Sequence, residues 1–210
     1  CNDCGPYLIF RSEAEKLEHQ KAFHKAVDII KSGGIVAIKG IGGYLFACSP
    51  FLPETVDNLR QLKGREEKPF AVMFESVEEV CNYCDVSKEE ELLLRSKANP
   101  IVLLIAKENK FAAGTGKDSI YCGAFIPYTP LQLMLIKSCG PLIMTSANSS
   151  SKPMITDDRE MLGLKSPFLN GVLYHTRRIV RSVDDSVAKV VDSHPQLIRR
   201  SRGYVPYPIF

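Results

Sequence analysis

The sequence has no long apolar run, no strong charge of one sign and no standard nucleotide-binding motif. No segment approaches the roughly 18–20 consecutive apolar residues that span a bilayer, so a transmembrane helix is excluded. The net charge of +3 comes from 27 basic and 24 acidic residues, too even a balance for a dedicated nucleic-acid binder. We expect a soluble protein whose binding chemistry depends on where its cations cluster.

The start of the chain has no export signal, because residues 1–10 have no charged leader, no apolar h-region and no small-residue cleavage site. We therefore expect a cytoplasmic location. The chain also has no internal repeat and no low-complexity linker. Its 210 residues are enough for one sizeable domain.

Seven cysteines are an odd number, and most are expected to be inert. Three lie in apolar or strand-like stretches and should pack as small hydrophobes: Cys48, Cys122 and Cys139. Two C-x-x-C pairs, Cys1/Cys4 and Cys81/Cys84, leave a four-thiolate zinc site as a formal alternative. The second pair lies at the end of a predicted helix. The first, in CNDCGP, has the Gly and Pro of a tight turn and is interpreted as half of a zinc site.

The apolar pattern predicts alternating helices and strands, which is typical of an α/β fold. Ser12 and Glu15 form a capping box, and apolar residues then recur at helical spacing as far as Gly33. A strand at 35–39, the glycine-rich loop, a helix at 53–63 and a strand at 69–74 follow. Further helices are predicted near 76–83, 87–96, 130–138 and 157–163, and strands near 100–105, 123–126, 141–145, 171–174, 186–192 and 196–199.

KGIGGY at 39–44 is the first candidate binding block. Gly40, Gly42 and Gly43 let the backbone approach a ligand and adopt positive φ, so that amides can point at anionic oxygens. The block is neither G-x-x-x-x-G-K-[ST] nor G-x-G-x-x-G. The alternative is a strand-to-helix turn that needs flexibility only.

Four cations, Arg60, Lys63, Arg65 and Lys68, lie within nine residues around KGREEKP. Capping of a helix C-terminus explains one or two of them. Pro69 starts an apolar strand and should hold the run rigidly at a sheet edge, where ligands of α/β proteins usually bind. The block predicts a phosphate clamp, with a solvated helix end as the alternative.

TSANSS at 145–150 places Thr145, Ser146 and Asn148 just after an apolar strand. Their hydroxyl and amide groups can bond a phosphate, a ribose or a small carboxylate. A helix N-cap or an Asx turn is the alternative.

The last two candidate binding blocks are DDSV at 184–187 and RRSRGY at 199–204. Asp184, Asp185 and Ser186 could bring magnesium to phosphates, or could form a turn held by Arg178 or Arg181. We favour for Asp184 either a structural role or a role in supporting the groups that contact the ligand, and for Ser186 a ligand-side role. One or two of the arginines at 199, 200 and 202 are expected at the nucleotide. His175 is interpreted as structural.

As an ordered set, KGIGGY, K-x-R with KP, TSAN, DDSV and RRSRGYVP resemble the YrdC/Sua-type ATP-binding domain, over residues 13–210. Members that make threonylcarbamoyl-adenylate usually carry P-T-x-T-x-Y-G-L where this chain has KGIGGYLF, and P-S-T-V where it has DDSV. These departures, PYTPLQLML at 127–135 and the leading CNDCGP resemble the version found in the hydrogenase-maturation carbamoyltransferases, the HypF family.

The resemblance implies an α/β fold with a YrdC-like twisted mixed sheet flanked by helices and a concave, positively charged face. Residues 1–12 would be the remnant of a zinc-finger region and linker. Cys1 and Cys4 would then be half of a Zn²⁺ site that exists only in the full-length protein.

The resemblance also implies a function. Carbamate from carbamoyl phosphate would be joined to ATP, with Mg²⁺, as carbamoyl-adenylate, and other domains of the full-length protein would pass the carbamoyl group to a HypE-like acceptor with a C-terminal cysteine. The alternatives are a threonylcarbamoyl-adenylate synthase for tRNA modification and a non-catalytic module that binds double-stranded RNA. No membrane partner is implied.

Motif by motif, the resemblance implies the site residues. Lys63 and Arg65 would be catalytic. The nucleotide-binding set would be Arg60, Lys63, Arg65, Lys68, Thr145, Ser146, Asn148, Ser186 and Arg200. The carbamate would be lined by Lys39, Gly40, Gly42, Gly43 and Tyr44, with glycine where relatives carry a threonine-binding side chain.

The phosphate-clamp interpretation predicts that Lys63→Ala combined with Arg65→Ala abolishes ATP binding without unfolding the domain. Paired changes at Lys16 and Lys21, which lie outside the motifs, should leave binding intact. Calorimetric titration with ATP and circular dichroism of both variants measure this. Equal ATP affinity in the two variants would contradict the clamp.

Overall fold

The computed structural model describes residues 5–65, 68–108, 110–116, 119–148 and 152–208. In these ranges the helices are α1 (His19–Lys31), α2 (Pro53–Lys63), α3 (Val77–Val80), α4 (Lys88–Leu94), α5 (Ala113–Gly116), α6 (Pro130–Cys139) and α7 (Asp158–Gly163). The strands are β1 (Leu8–Arg11), β2 (Lys16–Glu18), β3 (Ile35–Lys39), β4 (Tyr44–Cys48), β5 (Ala71–Met73), β6 (Cys84–Asp85), β7 (Ile101–Ala106), β8 (Tyr121–Phe125), β9 (Leu142–Ser146), β10 (Leu169–His175), β11 (Val187–Val191) and β12 (His194–Arg199).

The strands form one mixed sheet in the order β12-β11-β7-β8-β5-β9-β4-β3-β10-β1-β2, with β6 paired to β7. The pairs β10/β3, β11/β7 and β5/β8 are parallel, and the other pairs are antiparallel. A twisted mixed sheet flanked by helices confirms the predicted α/β class. The strand that follows KGREEKP, β5, lies between β8 and β9 in the interior of the sheet. The sequence had suggested a position at the edge of the sheet.

Each face of the sheet carries its own hydrophobic core. On β4, Tyr44 and Phe46 point to the face covered by α2, α3, α4 and α7, whereas Leu45 and Ala47 point to the face covered by α1 and α6. This alternation follows from the period of two in a strand. The alternation therefore determines which side chains of one motif can lie on the same face of the sheet as a bound ligand.

The end of α2 agrees with the sequence prediction to the residue. Pro53 occupies the first turn, and Gly64 ends the helix in the left-handed region at φ 56°. Lys63 is thereby held in the last turn, next to the start of β5.

Two local predictions were wrong. The Ser12 hydroxyl accepts a hydrogen bond from the Glu15 amide at 3.3 Å, but this bond closes the turn between β1 and β2, and α1 begins only at His19. The sequence analysis also missed β4. Lys39 pairs with Tyr44, so the glycine loop joins two antiparallel strands in a hairpin and is not a strand-to-helix turn.

The assignment of residues 1–12 to a linker also needs correction. β1 pairs with both β10 and β2, and the Phe10 side chain is completely buried. The domain therefore includes residues from Leu8 onwards. The predicted zinc ligands Cys1 and Cys4 lie outside the described residues.

The cysteines that the structure describes are free thiols. Cys48, Cys84 and Cys122 are buried, while Cys81 is exposed just after α3. Among the described residues, no three His, Cys, Asp or Glu side chains lie close enough to hold a metal ion. No helix in the same ranges is long and apolar enough to cross a membrane.

The burial of Phe10 gives a test of the domain boundary. Phe10→Ala should lower the free energy of unfolding by about 3–5 kcal/mol, because a buried aromatic side chain is replaced by a cavity. Urea denaturation measures this. Leu92→Ala, at an exposed position of α4, is the control and should cost less than about 0.5 kcal/mol. Equal midpoints for the two variants would show that β1 is dispensable.

Candidate active site

A cavity of about 450 Å³ lies on the sheet face that also carries α1 and α6. Its floor is made by small or apolar residues of neighbouring strands: Leu45, Ala71, Ile101, Leu103, Gly123, Met144 and Val187. Its polar wall contains Lys63, Arg65, Lys68, Thr145, Ser146, Asn148, Asp184, Asp185 and Arg199. Four cations against two carboxylates give this wall a positive balance, which suits a polyanion.

The sheet topology explains why distant motifs meet here. β5 and β9 are antiparallel, with Val72 opposite Ile143. The start of β5, which follows KGREEKP, therefore lies beside the end of β9, which carries Thr145 and Ser146. Residues about 80 positions apart in sequence thus share one end of the sheet.

Lys63 is the buried centre of the cationic wall, with only 3% of its surface exposed. Its Nζ donates to the Ser146 carbonyl, to the Asn148 carbonyl at 3.0 Å and to Asn148 Oδ1 at 3.1 Å. Burial and, after it, the nearby Arg65 charge lower the pKa of Lys63 to about 8, although Asp184 acts in the opposite direction. The ammonium thus lies among neutral oxygens, and an added anion would stabilise its charge.

Arg65 is held beside Lys63 by the start of β5. Its Nη2 donates to the Pro69 carbonyl at 2.7 Å and its Nη1 to Thr145 Oγ1 at 3.4 Å, and the guanidinium lies 5.1 Å from the centre of the Phe70 ring. Burial lowers the pKa of Arg65. Its Nε is buried without a hydrogen-bond partner among the described residues.

The Ser146 and Asn148 side chains are bonded to each other. Ser146 Oγ donates to Asn148 Oδ1 at 2.6 Å, and Asn148 Nδ2 donates to the Lys152 carbonyl. The Asn148 amide is therefore fixed in orientation by groups on both sides. Ser149 and Ser150 of the same block lie outside the described residues, as do Glu66 and Glu67 of KGREEKP.

The acidic residues before β11 also line the cavity. Asp184 forms an ion pair with Arg199 at 3.2 Å, and Asp185 accepts a hydrogen bond from Arg202 Nε at 2.8 Å. Asp184 was expected to be structural or to support the groups that contact the ligand, yet it lines the cavity itself. The residues it missed altogether include Leu45 and Met154, for which the sequence carries no chemical signal.

Three predicted nucleotide ligands lie elsewhere. Arg60 donates to the carbonyls of Gly114 at 2.9 Å and Arg65 at 3.0 Å, and so holds the loop around it. Ser186 is completely buried, donating to the Arg202 carbonyl and accepting from the Ser201 amide. Arg200 donates to the carbonyls of Tyr204 and Tyr207. None of the three is among the residues that line the cavity.

Lys39 and Tyr44, predicted to line the carbamate end, point to the opposite face of the sheet. The buried Lys39 forms an ion pair with the partly exposed Asp158 at 2.5 Å and donates to the His175 carbonyl at 3.1 Å. Tyr44 donates its hydroxyl to the same Asp158 Oδ1 at 2.7 Å, and burial raises the pKa of that hydroxyl. This cluster attaches α7 to the hairpin and does not reach the cavity. The His175 ring itself has a pKa lowered mainly by burial.

The glycines of the loop pack closely against neighbouring residues and do not adopt the left-handed backbone conformation. None of Gly40, Gly42 and Gly43 has positive φ. A Cβ on Gly42 would lie 2.3 Å from the Val183 carbonyl oxygen, and one on Gly43 would lie 1.8 Å from Met154 Sδ. The prediction of positive φ was therefore wrong. The Val183 backbone is what requires glycine at position 42, whereas the atom nearest to Gly43 belongs to a flexible side chain.

The chain belongs to the Sua5/YciO/YrdC family. The sequence profile of that family, described as "Telomere recombination", matches residues 28–201. This membership agrees with the mixed sheet and confirms the predicted resemblance to the YrdC-type domain.

Within that family the chain is similar to carbamoyltransferase HypF. The HypF of Synechocystis sp. is 37% identical over 194 residues, covering 91% of this chain and 25% of that protein. The HypF of Rhodobacter capsulatus is 37% identical over 210 residues, covering 98% of this chain and 27% of that protein. This chain therefore spans about a quarter of the length of these relatives. Threonylcarbamoyl-AMP synthase of Rattus norvegicus is 32% identical over 134 residues, covering 63% of this chain and 48% of that protein.

Solved structures give the same result. A full-length HypF in its phosphate- and nucleotide-bound form superposes with a TM-score of 0.91 at 42% identity, covering 98% of this chain and 27% of that one. T. kodakarensis HypF superposes with a TM-score of 0.94 at 36% identity, covering 100% of this chain and 28% of that one. These likenesses confirm the fold class.

The lowered pKa of Lys63 predicts pH-dependent binding of ATP. Phosphate oxygens favour the charged ammonium, so above about pH 8 binding must take up a proton, and affinity should fall by up to about tenfold per pH unit. Calorimetric titration at several pH values in two buffers of different ionisation enthalpy measures both effects. In Lys63→Arg the guanidinium stays charged, so the dependence of ATP affinity on pH should disappear. A flat affinity between about pH 7 and 9.5 in the unmodified chain contradicts the assignment.

Proposed function

We propose that this chain forms carbamoyl-adenylate from carbamate and ATP, with release of pyrophosphate. The single observation that supports this most is the cationic wall, in which Lys63 and Arg65 are buried beside the hydroxyl and amide groups of TSAN. The cavity volume of about 450 Å³ also lies in the range of small-molecule sites. The similarity to a HypF crystallised with nucleotide supports ATP as the ligand.

In this reaction a carboxylate oxygen of carbamate attacks the α-phosphorus of ATP. The bond from that phosphorus to the oxygen bridging the β-phosphate breaks, and pyrophosphate leaves with the bridging oxygen. Negative charge grows on the leaving group, where the cations of the wall (Lys63, Arg65, Lys68 and Arg199) would stabilise it. Positioning and charge neutralisation carry the reaction, and no general base is needed because carbamate is already ionised.

Magnesium fits this site. Mg²⁺ is usually held by one or two carboxylates together with substrate phosphates, and Asp184 and Asp185 line the cavity. Both are paired with an arginine, but Asp184 is the better candidate because its side chain is 46% exposed, whereas that of Asp185 is 14% exposed. When bound, the ion would neutralise part of the triphosphate charge.

For the larger protein, we infer that other domains supply carbamate from carbamoyl phosphate and pass the carbamoyl group to an acceptor of the HypE type, in hydrogenase maturation. The name of the relatives, carbamoyltransferase HypF, supports this inference. Zinc binding by Cys1 and Cys4 in such a protein stays a prediction, and so does binding of double-stranded RNA.

A second candidate is threonylcarbamoyl-adenylate synthesis, favoured by the similarity to the threonylcarbamoyl-AMP synthase of Rattus norvegicus. The two reactions share adenylation and differ in the acid that is activated. Substrate choice therefore separates them.

ATP–pyrophosphate exchange with the purified chain and Mg²⁺ is the deciding measurement. We expect exchange with carbamoyl phosphate plus an added acylphosphatase, and none with threonine plus bicarbonate. Lys63→Ala/Arg65→Ala should lose the exchange, and the matched Lys16→Ala/Lys21→Ala should keep it. Exchange with threonine would move the chain to the second candidate, and exchange with neither source would refute both.

A further inference from the structure

A small recess adjoins the nucleotide-sized cavity. It is bounded by the glycine loop 40–43, Tyr128, Met154, Val183 and Arg202, and it measures only about 10 Å³. Leu45, Met154 and Asp185 line both spaces, so the recess opens beside the cavity. An acid that attacks the α-phosphorus must lie next to the nucleotide, which is where this recess lies.

The Met154 side chain packs directly against Gly43 of the glycine loop. A Cβ on Gly43 would lie 1.8 Å from Met154 Sδ and 2.4 Å from its Cγ. The thioether therefore occupies the space into which a side chain at position 43, or a substituent on a substrate, would extend. Val183 does the same over Gly42, with its Cγ1 at 2.5 Å from the corresponding Cβ.

The backbone that carries Met154 is anchored to the hairpin. The Tyr44 amide donates to the Ile155 carbonyl at 2.9 Å, and Asp158 accepts from both Lys39 and Tyr44. A methionine side chain is flexible, but these bonds hold its Cα over the loop. The buried cluster on the far face of the sheet therefore keeps Met154 over the recess.

A space of about 10 Å³ admits at most a group the size of one water molecule. Carbamate presents a bare NH₂ group, whereas an N-carboxy amino acid presents a substituted carbon with a side chain. We propose that Met154 sets the size limit of the acid that this domain activates, so that unsubstituted carbamate is accepted and N-substituted carbamates are rejected. This inference rests on the proposed function and deepens it.

The test compares Met154→Ala with the unmodified chain in ATP–pyrophosphate exchange. Carbamate is supplied as above, and N-methylcarbamate is supplied by methylamine with bicarbonate. Removing the thioether should raise the rate with N-methylcarbamate relative to carbamate by at least about tenfold, the scale on which one methyl group is discriminated in a closed pocket. Met134→Ala, at an exposed position of α6, is the matched control and should keep the original ratio.

A second pair of variants tests the contact itself. Gly43→Ala should reduce exchange with carbamate, because its Cβ collides with Met154. Adding Met154→Ala to it should restore the exchange. An unchanged substrate ratio in folded Met154→Ala, or equal use of both carbamates by the unmodified chain, overturns the proposal.

A binding measurement keeps this inference separate from the proposed function. Acetate and butyrate are stable analogues of carbamate and of a larger substituted carbamate, and saturation-transfer NMR on the ATP-loaded chain reports their binding without turnover. The unmodified chain should bind acetate only, and Met154→Ala should bind both. If exchange is absent but this pattern holds, adenylation fails and the size limit stands. If exchange occurs but Met154→Ala does not bind butyrate, the size limit fails.

Discussion

The buried ammonium of Lys63 is the interaction on which the site depends. A charge taken out of water is costly unless oxygens surround it, and here two carbonyls and one amide oxygen from residues 146–148 do so. These bonds join the end of α2 to the end of β9. Arg65, two residues further on, is thereby placed against Thr145. The cationic wall exists because this one connection holds a helix end and a strand end together.

Neighbouring residues of the glycine loop and its two strands divide between supporting the fold and bordering the cavity. Lys39 and Tyr44 use one face to attach α7 through Asp158, while Leu45 and the glycine loop border the cavity and its recess. In the supporting ion pair Lys39 is buried, whereas the Asp158 carboxylate is 37% exposed and also accepts a hydrogen bond from Tyr44. A buried charge is tolerated when it is paired in this way. Residues of a single six-residue motif therefore have opposite roles, because neighbouring side chains of a strand point to opposite faces.

Part of the candidate site was predictable from the sequence because its residue types are chemically distinctive. The clustering of Lys63, Arg65 and Lys68, and the TSAN block after an apolar strand, indicated groups that the fold does bring together. Arg60, Ser186 and Arg200 looked equally suitable. They bond to backbone carbonyls and amides instead, and local sequence holds no information on which carbonyl lies within reach. Met154 is apolar and follows no motif, so only the packing over Gly43 identifies it.

The sequence by itself determined the α/β class, the bounds of α2 and the chemical identity of the cationic wall, because periodicity, Pro and Gly signals and charge are local properties. Tertiary structure alone decided the strand order, the hairpin made by the glycine loop, the inclusion of β1 and the direction in which each polar side chain points. These depend on pairing between segments far apart in the chain. Such pairing is fixed by the packing of whole faces, which no local pattern contains.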